Sequence, residues 1–273
     1  MKTLIAATDF SKASLNAVNY AADMAAIIQA KLVLLHVLQV QLVSDIPEYT
    51  MQVEEDVFEE RNKKMELLKQ QLEKRIGRRV PVSFKIIEGD INGLIESFAD
   101  DKKPFALIMG SKGTNKLEDF IFGSVTLHTA KHSHYPVLII PEKAKFTSVS
   151  AIAFASDLVL EPASAALKTL RQWLNAFDAQ LSIINVSYNA ANKDEKEKEF
   201  SALKKHLGQH DIYFNQPVND SVPEGLSKYI RKNKPDVMAL IYHKESFLHR
   251  VAFRSEFKNI LKSITIPILI IHG

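Results

Sequence analysis

The 273-residue sequence has no cysteine, which excludes a disulfide framework, a thiolate metal site and a cysteine nucleophile together. Such a chain suits a reducing compartment, and the cytoplasm is the expected location. Long apolar runs are also missing. Nothing approaches the ~18 to 20 residues that a membrane-spanning helix needs, so a soluble protein without a membrane partner is expected. The opening stretch Leu4-Ile5-Ala6-Ala7 is far shorter than a secretory leader and meets Asp9 almost at once; it predicts a strand. An excess of one charge is lacking as well. The formal net charge is +3, with 19 Lys and Arg against 19 Asp and Glu in residues 1–146 and 16 against 13 in 147–273. No dense basic stripe is present, and no nucleic-acid partner is predicted. Glycine is scarce, at nine residues, so a local concentration of it marks a place where the backbone has a special task.

What is present is ordinary globular material, 46% hydrophobic and 25% charged, in a chain long enough for two domains of about 100 to 150 residues each. An internal repeat supports that division. Leu4-Ile5-Ala6-Ala7-Thr8-Asp9 is echoed by Ile152-Ala153-Phe154-Ala155-Ser156-Asp157, and Pro136-Val137-Leu138-Ile139-Ile140 by Pro267-Ile268-Leu269-Ile270-Ile271. The offsets are 148 and 131 residues, so the second copy is 17 residues shorter. The boundary falls near Lys143 to Ser148, giving domains 1–146 and 147–273.

Within each copy short apolar runs alternate with amphipathic stretches, the pattern of βαβ units that build a parallel sheet covered on both faces. The class is therefore α/β, as two tandem doubly wound five-stranded parallel-sheet domains. Strands are predicted over Thr3 to Ala7, Lys31 to Val37, Val82 to Glu88, Phe105 to Met109 and Val137 to Ile140. A charge-rich helix is predicted over Glu54 to Ile76, with Val57, Met65, Leu68, Leu72 and Ile76 on its apolar face. Its shorter counterpart is expected around Glu195 to Leu207. Pro136 and Pro267 each precede a strand, where the missing N–H is tolerated.

Three of the nine glycines fall in Gly110-Ser111-Lys112-Gly113-Thr114-Asn115-Lys116-Leu117-Glu118-Asp119-Phe120-Ile121-Phe122-Gly123-Ser124. A strand ending in Gly, a loop, and a Gly-Ser opening a helix suit a phosphate. Glycine lets backbone approach the oxygens, and a helix start offers free N–H groups and a favourable dipole. Ser124 is expected at the N-cap. The spacing does not fit a Walker A loop, and the first strand is followed by Asp9-Phe10-Ser11 rather than by a dinucleotide glycine fingerprint. If the first and fourth strands are neighbours at the switch point of the sheet, Asp9 and Gly110 face one crevice. A carboxylate there would repel phosphate, so Asp9 is expected to accept hydrogen bonds from a base or ribose at the far end. Asp9 would serve equally as the cap of a helix starting near Ser11.

The pattern G-x2-G-x9-G-[ST] formed by Gly110, Gly113, Gly123 and Ser124, with Asp9 after the first strand, resembles the ATP-binding class of the universal stress protein family. The resemblance covers the whole chain as two copies. It implies strand order 3-2-1-4-5, ATP (or ADP or AMP) with its adenine and ribose near Asp9 and its phosphates along Gly110, Gly113, Gly123 and Ser124, and Mg accompanying the triphosphate. Val37 would lie beside the adenine through its backbone. The pair Val125-Thr126 and His132 before Pro136 are also typical of the family. The family pairs domains through their fifth strands, which here would make one chain an intramolecular pseudo-dimer, with a homodimer of chains as a further level. Phe120 and Phe122 are expected to pack the loop onto the domain.

In the second copy the glycines are replaced. His243 aligns with Gly110, Ser246 with Gly113, Arg254 with Gly123 and Ser255 with Ser124, while Asp157 still matches Asp9. This copy is expected to be a partner that has lost the ATP pose, or a site where His243, Lys244, His249, Arg250 and Arg254 hold a different anion through side-chain charge. His128, His132 and His134 share helical spacing, but no carboxylate is near them in sequence and no metal site is predicted. No nucleophile with an adjacent base stands out. The leading expectation is an ATP-binding regulatory protein with at most slow hydrolysis. The alternatives are an adenine-nucleotide α/β enzyme, whose S-G-G-x-D-S and H-I-G-H signatures are missing, and a second-domain module for another metabolite.

Overall fold

The computed structural model describes residues 1–38, 47–111, 123–158, 164–188, 193–242 and 264–272. The first half runs β1 (Thr3–Ala7), α1 (Lys12–Ile28), β2 (Lys31–Leu38), α2 (Pro47–Arg75), β3 (Val82–Glu88), α3 (Ile91–Lys102), β4 (Ala106–Gly110), α4 (Ser124–His132) and β5 (Val137–Ile140). The second runs β6 (Ala151–Ala155), α5 (Ala165–Phe177), β7 (Gln180–Ile184), α6 (Lys193–Leu207), β8 (Ile212–Asn215), α7 (Val222–Asn233), β9 (Val237–Tyr242) and β10 (Ile268–His272).

All ten strands form one sheet in the order β3-β2-β1-β4-β5-β10-β9-β6-β7-β8. Each half thus contributes a 3-2-1-4-5 parallel sheet, and the two join through their fifth strands. That joint is antiparallel, with Leu269 opposite Leu138. Both faces of the sheet carry helices, which is why the strands read as continuous apolar runs. Leu4, Ile5 and Ala6 of β1 are all fully buried although they alternate between faces. One core layer gathers Leu4, Leu34, Met65, Ile108 and Trp173, and the other Ile5, Leu35, Ile95, Met109 and Ile139.

Side chains also hold the segment that follows β5 against the first half. The Asn16 amide donates to the carbonyls of Pro141 at 3.0 Å and Ala144 at 2.8 Å, holding the connecting segment against α1. Tyr20 meets Phe146 edge-on with ring centroids 5.0 Å apart.

Several boundaries differ from expectation, β2 running on to Leu38 and α2 stopping at Arg75. Helix α2 begins at Pro47, well before Glu54, and Val57 is 38% exposed rather than on the buried face. Residues 55 to 60 are all exposed, and the first buried residue after them is Met65, where the helix reaches the sheet. Strand β4 covers Ala106–Gly110, one residue later than predicted. Phe105 keeps a strand-like bond from its N–H to the Thr3 carbonyl at 2.7 Å, while Gly110 pairs with Ile140.

Candidate functional site

A cleft of about 250 Å³ opens at the carboxyl ends of β1, β2 and β4, between β1 and β4, where the strand order reverses. Three kinds of wall enclose it: a polar turn after β1, an apolar slot between β2 and α3, and the first turn of α4.

The polar turn is built by local hydrogen bonds. Ser11 is the N-cap of α1, its hydroxyl accepting from the Ser14 N–H at 3.3 Å. Asp9 therefore is not the cap. Its Oδ1 accepts from the Ser11 N–H at 2.9 Å, an Asx turn that leads into the helix. Phe10 between them takes a left-handed backbone, φ 62°, held by its N–H donating to Thr8 Oγ1 at 3.0 Å. Burial raises the Asp9 pKa, but hydrogen bonds from Ser11 and Ser14 outweigh it and leave the carboxyl below its usual range. Asp9 is anionic at neutral pH and stands at the cleft rim.

Leu35 and Val37 of β2 face Ile91 and Ile95 of α3 across the cleft, with Met109 beside them. This slot is apolar and suits a flat ring.

The other end is made by Gly110, Gly123 and α4. A Cβ on Gly110 would lie 2.7 Å from the Ala13 carbonyl carbon and oxygen and 2.9 Å from the Ser14 nitrogen. Its missing side chain therefore lets β4 pack against the start of α1, a different reason from the phosphate approach expected above. The Gly110 carbonyl accepts from Thr126 Oγ1 at 3.0 Å, which pins the first turn of α4 to β4. The Gly123 N–H donates to the Ser111 carbonyl at 2.9 Å. Gly123 itself, with φ −59° and ψ 149°, is the N-cap of α4, and Ser124 is the first helical residue rather than the cap. Among the described residues no side chain caps this end, and the first N–H groups of α4 have no intrahelical partner. On the Gly123 Cβ side the nearest atom among the described residues is Thr126 Oγ1 at 3.8 Å, and that side belongs to the cleft.

Asp9, Val37, Gly110, Gly123, Ser124, Val125 and Thr126 thus surround one cleft. Gly113, Phe120 and Phe122 lie outside the described residues, as do His243, Lys244, His249, Arg250 and Arg254. Ile91 and Ile95 were missed by the sequence reading, since an apolar pair on a helix carries no local signal of a cleft. Ser11 and Ser14 were missed as cleft residues although their spacing is that of a capped helix start.

In the second half Ser156, Asp157 and Leu158 repeat the turn, Leu158 with φ 69°. There, however, α7 presses on the strand end: a Cβ on Gly225 would lie 2.7 Å from Val186 Cγ1, the residue that follows β7 as Val37 ends the apolar wall of β2. His128 and His132 stack with ring centroids 4.3 Å apart, and His134 Nδ1 is 3.8 Å from Asp100 Oδ1. Among the described residues no group of three His, Asp or Glu side chains is arranged to hold a metal. Nor is any described helix long and apolar enough to cross a membrane.

Comparison with known proteins places this geometry among relatives. Residues 1–141 match the Universal stress protein family. The universal stress protein MJ0577 of Methanocaldococcus jannaschii is 26% identical over 162 residues, covering 52% of this chain and 96% of that protein. The crystal structure of a universal stress protein from Archaeoglobus fulgidus aligns with TM-score 0.79 at 16% identity, over 99% of this chain and 98% of that one. A putative universal stress protein from Pseudomonas aeruginosa aligns with TM-score 0.62 at 13% identity, over 100% of this chain and 93% of that one. At these identities the two structures share the fold.

Proposed function

The chain belongs to the universal stress protein family, and from that premise we propose that it is a cytoplasmic regulatory protein binding one adenine nucleotide, ATP or its ADP or AMP relatives, in the cleft of its first half. The observation that carries this reading is the pairing, within one cleft, of an uncapped helix start with an apolar slot. The free N–H groups at the start of α4 and the open side of Gly123 suit phosphate oxygens, which favour a helix N-terminus. Leu35, Val37, Ile91 and Ile95 suit the adenine ring. Asp9 accepts from the ribose at the rim, away from the phosphates. Mg²⁺ would enter with the phosphates and their waters, because Asp9 is the one carboxylate among the described residues lining the cleft.

The division into domains 1–146 and 147–273 is part of the same proposal. The second domain serves as the partner that covers β5 and takes no ATP. The contact of Gly225 with Val186 narrows the space equivalent to the apolar slot, and the glycines of the first loop are replaced by larger residues. Native mass spectrometry of the purified full-length chain tests the reading. The expected result is a species heavier than the apo chain by the mass of one adenine nucleotide, present after purification or after ATP addition. A chain that stays at its apo mass in excess ATP would contradict it.

A further inference from the structure

The two halves solve one problem with different side chains. In the first half the Thr8 N–H donates to the Leu35 carbonyl at 2.9 Å, and in the second the Ser156 N–H donates to the Ile184 carbonyl at 3.0 Å. The residue after that carbonyl in each half, on β2 in the first and just past β7 in the second, returns a bond to the same turn. His36 Nδ1 lies 2.7 Å from the Thr8 carbonyl oxygen, and Asn185 Nδ2 donates to the Ser156 carbonyl at 3.0 Å. A carbonyl only accepts, so His36 carries its proton on Nδ1. The turns that follow match as well. Phe10 and Leu158 are both left-handed, at φ 62° and 69°, and both donate their N–H to the preceding hydroxyl, Thr8 Oγ1 at 3.0 Å and Ser156 Oγ at 2.9 Å.

The surroundings of the two donors differ. Both polar side-chain atoms of Asn185 have a partner, its Oδ1 accepting from Gln216 Nε2 at 3.3 Å. His36 is 6% exposed, its ring is 4.8 Å from that of Phe10, and its Nε2 has no partner among the described residues. It sits on the α1–α2 side of the sheet and does not line the cleft. The charged groups that face it are Asp9 from the turn and Arg61 and Lys64 from α2.

We propose that His36 is a positioning residue for the nucleotide site: through its Nδ1–H bond to the Thr8 carbonyl and its ring against Phe10, it holds the left-handed turn that presents Asp9 to the ligand. Two independent copies of the turn arriving at the same bond with different residues is what carries this. A packing role alone would not require His and Asn, which differ in size, shape and aromaticity, to place an N–H donor at one point. Because Nε2 is buried without an acceptor among the described residues, and the charges of Arg61 and Lys64 act against a cation there, a second proton has no partner. Burial accordingly holds the imidazole below its ordinary range, with the bond to Thr8 opposing and Arg61 adding to the effect. The turn therefore keeps its geometry at neutral pH and loses it as His36 is forced to protonate. The consequence for affinity rests on the nucleotide reading above, whereas the consequence for the turn does not.

The test uses the full chain, with His36→Leu removing the donor and His36→Asn restoring it in the form already present at Asn185. Amide hydrogen exchange at Phe10 and Ser11 reports the turn, and titration with ATP reports the site. His36→Leu should speed exchange at both amides about tenfold or more and weaken ATP about tenfold, the worth of one hydrogen bond and its orphaned carbonyl. His36→Asn should return both to the parent values. The ratio of parent to His36→Asn affinity should fall as pH drops below about 6.5, a comparison from which the titration of ATP itself cancels. Unchanged exchange in His36→Leu, or His36→Asn behaving like His36→Leu, overturns the proposal. Should His36→Leu not fold, His36→Asn decides: retained protection of Phe10 and Ser11 supports the proposal, and lost protection overturns it. If the exchange pattern appears as expected while the parent chain binds no ATP, the nucleotide reading fails and the positioning of the turn stands. If ATP binds and exchange does not respond to His36, the reverse holds.

Discussion

Phe105 of the first half and Trp173 of the second stack with ring centroids 5.2 Å apart and planes 22° from parallel. Trp173 is fully buried, so this aromatic pair sits where the halves share a core, alongside the antiparallel β5–β10 seam. Trp173→Ala should cost about 3 to 5 kcal/mol and destabilise both halves in a single transition, followed by guanidinium unfolding at two probes, one in each half. Loss of the second half alone, with the first retaining its midpoint, would contradict the shared core.

The seam also predicts the behaviour of a fragment. Val137 to Ile140 are buried and would become an open apolar edge without β10. Residues 1–146 alone should therefore dimerise or aggregate in sedimentation velocity. A monomer as stable as the full chain would contradict this.

Gly110 and Gly123 separate stability from binding. Gly110→Ala drives a Cβ into the Ala13 backbone at 2.7 Å, and overpacking of this kind costs about 1 to 3 kcal/mol. Among the described residues Gly123→Val meets no atom nearer than 3.8 Å from its Cβ, and the position needs no unusual dihedral, so the stability cost should not exceed the ~1 kcal/mol of a poorer N-cap. Its side chain would fill the proposed phosphate space and abolish ATP binding. Thermal unfolding and ATP titration of the two variants should show opposite patterns.

Asp9→Ala should give a graded effect. Losing one charged hydrogen bond, about 1.5 to 3 kcal/mol, corresponds to about a 10- to 150-fold loss of ATP affinity. Titration showing no loss would remove Asp9 from the site.

His272 predicts how stability depends on pH. Burial pushes its imidazole down to about 4, with His134 and His132 adding to the effect and the bond to the Ala130 carbonyl opposing it. The contribution is therefore complete above the unfolded value near 6.5 and is lost as pH falls towards 4. It amounts to about 3 kcal/mol across that window. His36, also held low by burial, acts in the same direction. Urea unfolding at pH 7 and pH 4.5 should show a smaller loss for His272→Gln than for the parent chain.

Much of the architecture was legible in the sequence because both faces of the sheet are covered, which turns strands such as Leu4 to Ala7 and Val137 to Ile140 into unbroken apolar runs. The early start of α2 was signalled by Pro47, a residue favoured in the first helical turn, but apolar periodicity there is weak. In the cleft, Asp9 and the glycine spacing could be read locally. The need for Gly110 could not, because its partner Ala13 belongs to another element. His36 was hidden for a related reason: its counterpart is Asn185, and the two are alike only in the proton each presents to a carbonyl.

The central claim is one adenine nucleotide per chain, held by the first half. Calorimetric titration of ATP into the full-length protein tests it most directly, with Gly123→Val and Arg254→Ala measured beside the parent. The account predicts a single site per chain, lost in Gly123→Val and nearly unchanged in Arg254→Ala. Two equivalent sites, or a site weakened by Arg254→Ala and untouched by Gly123→Val, would contradict it.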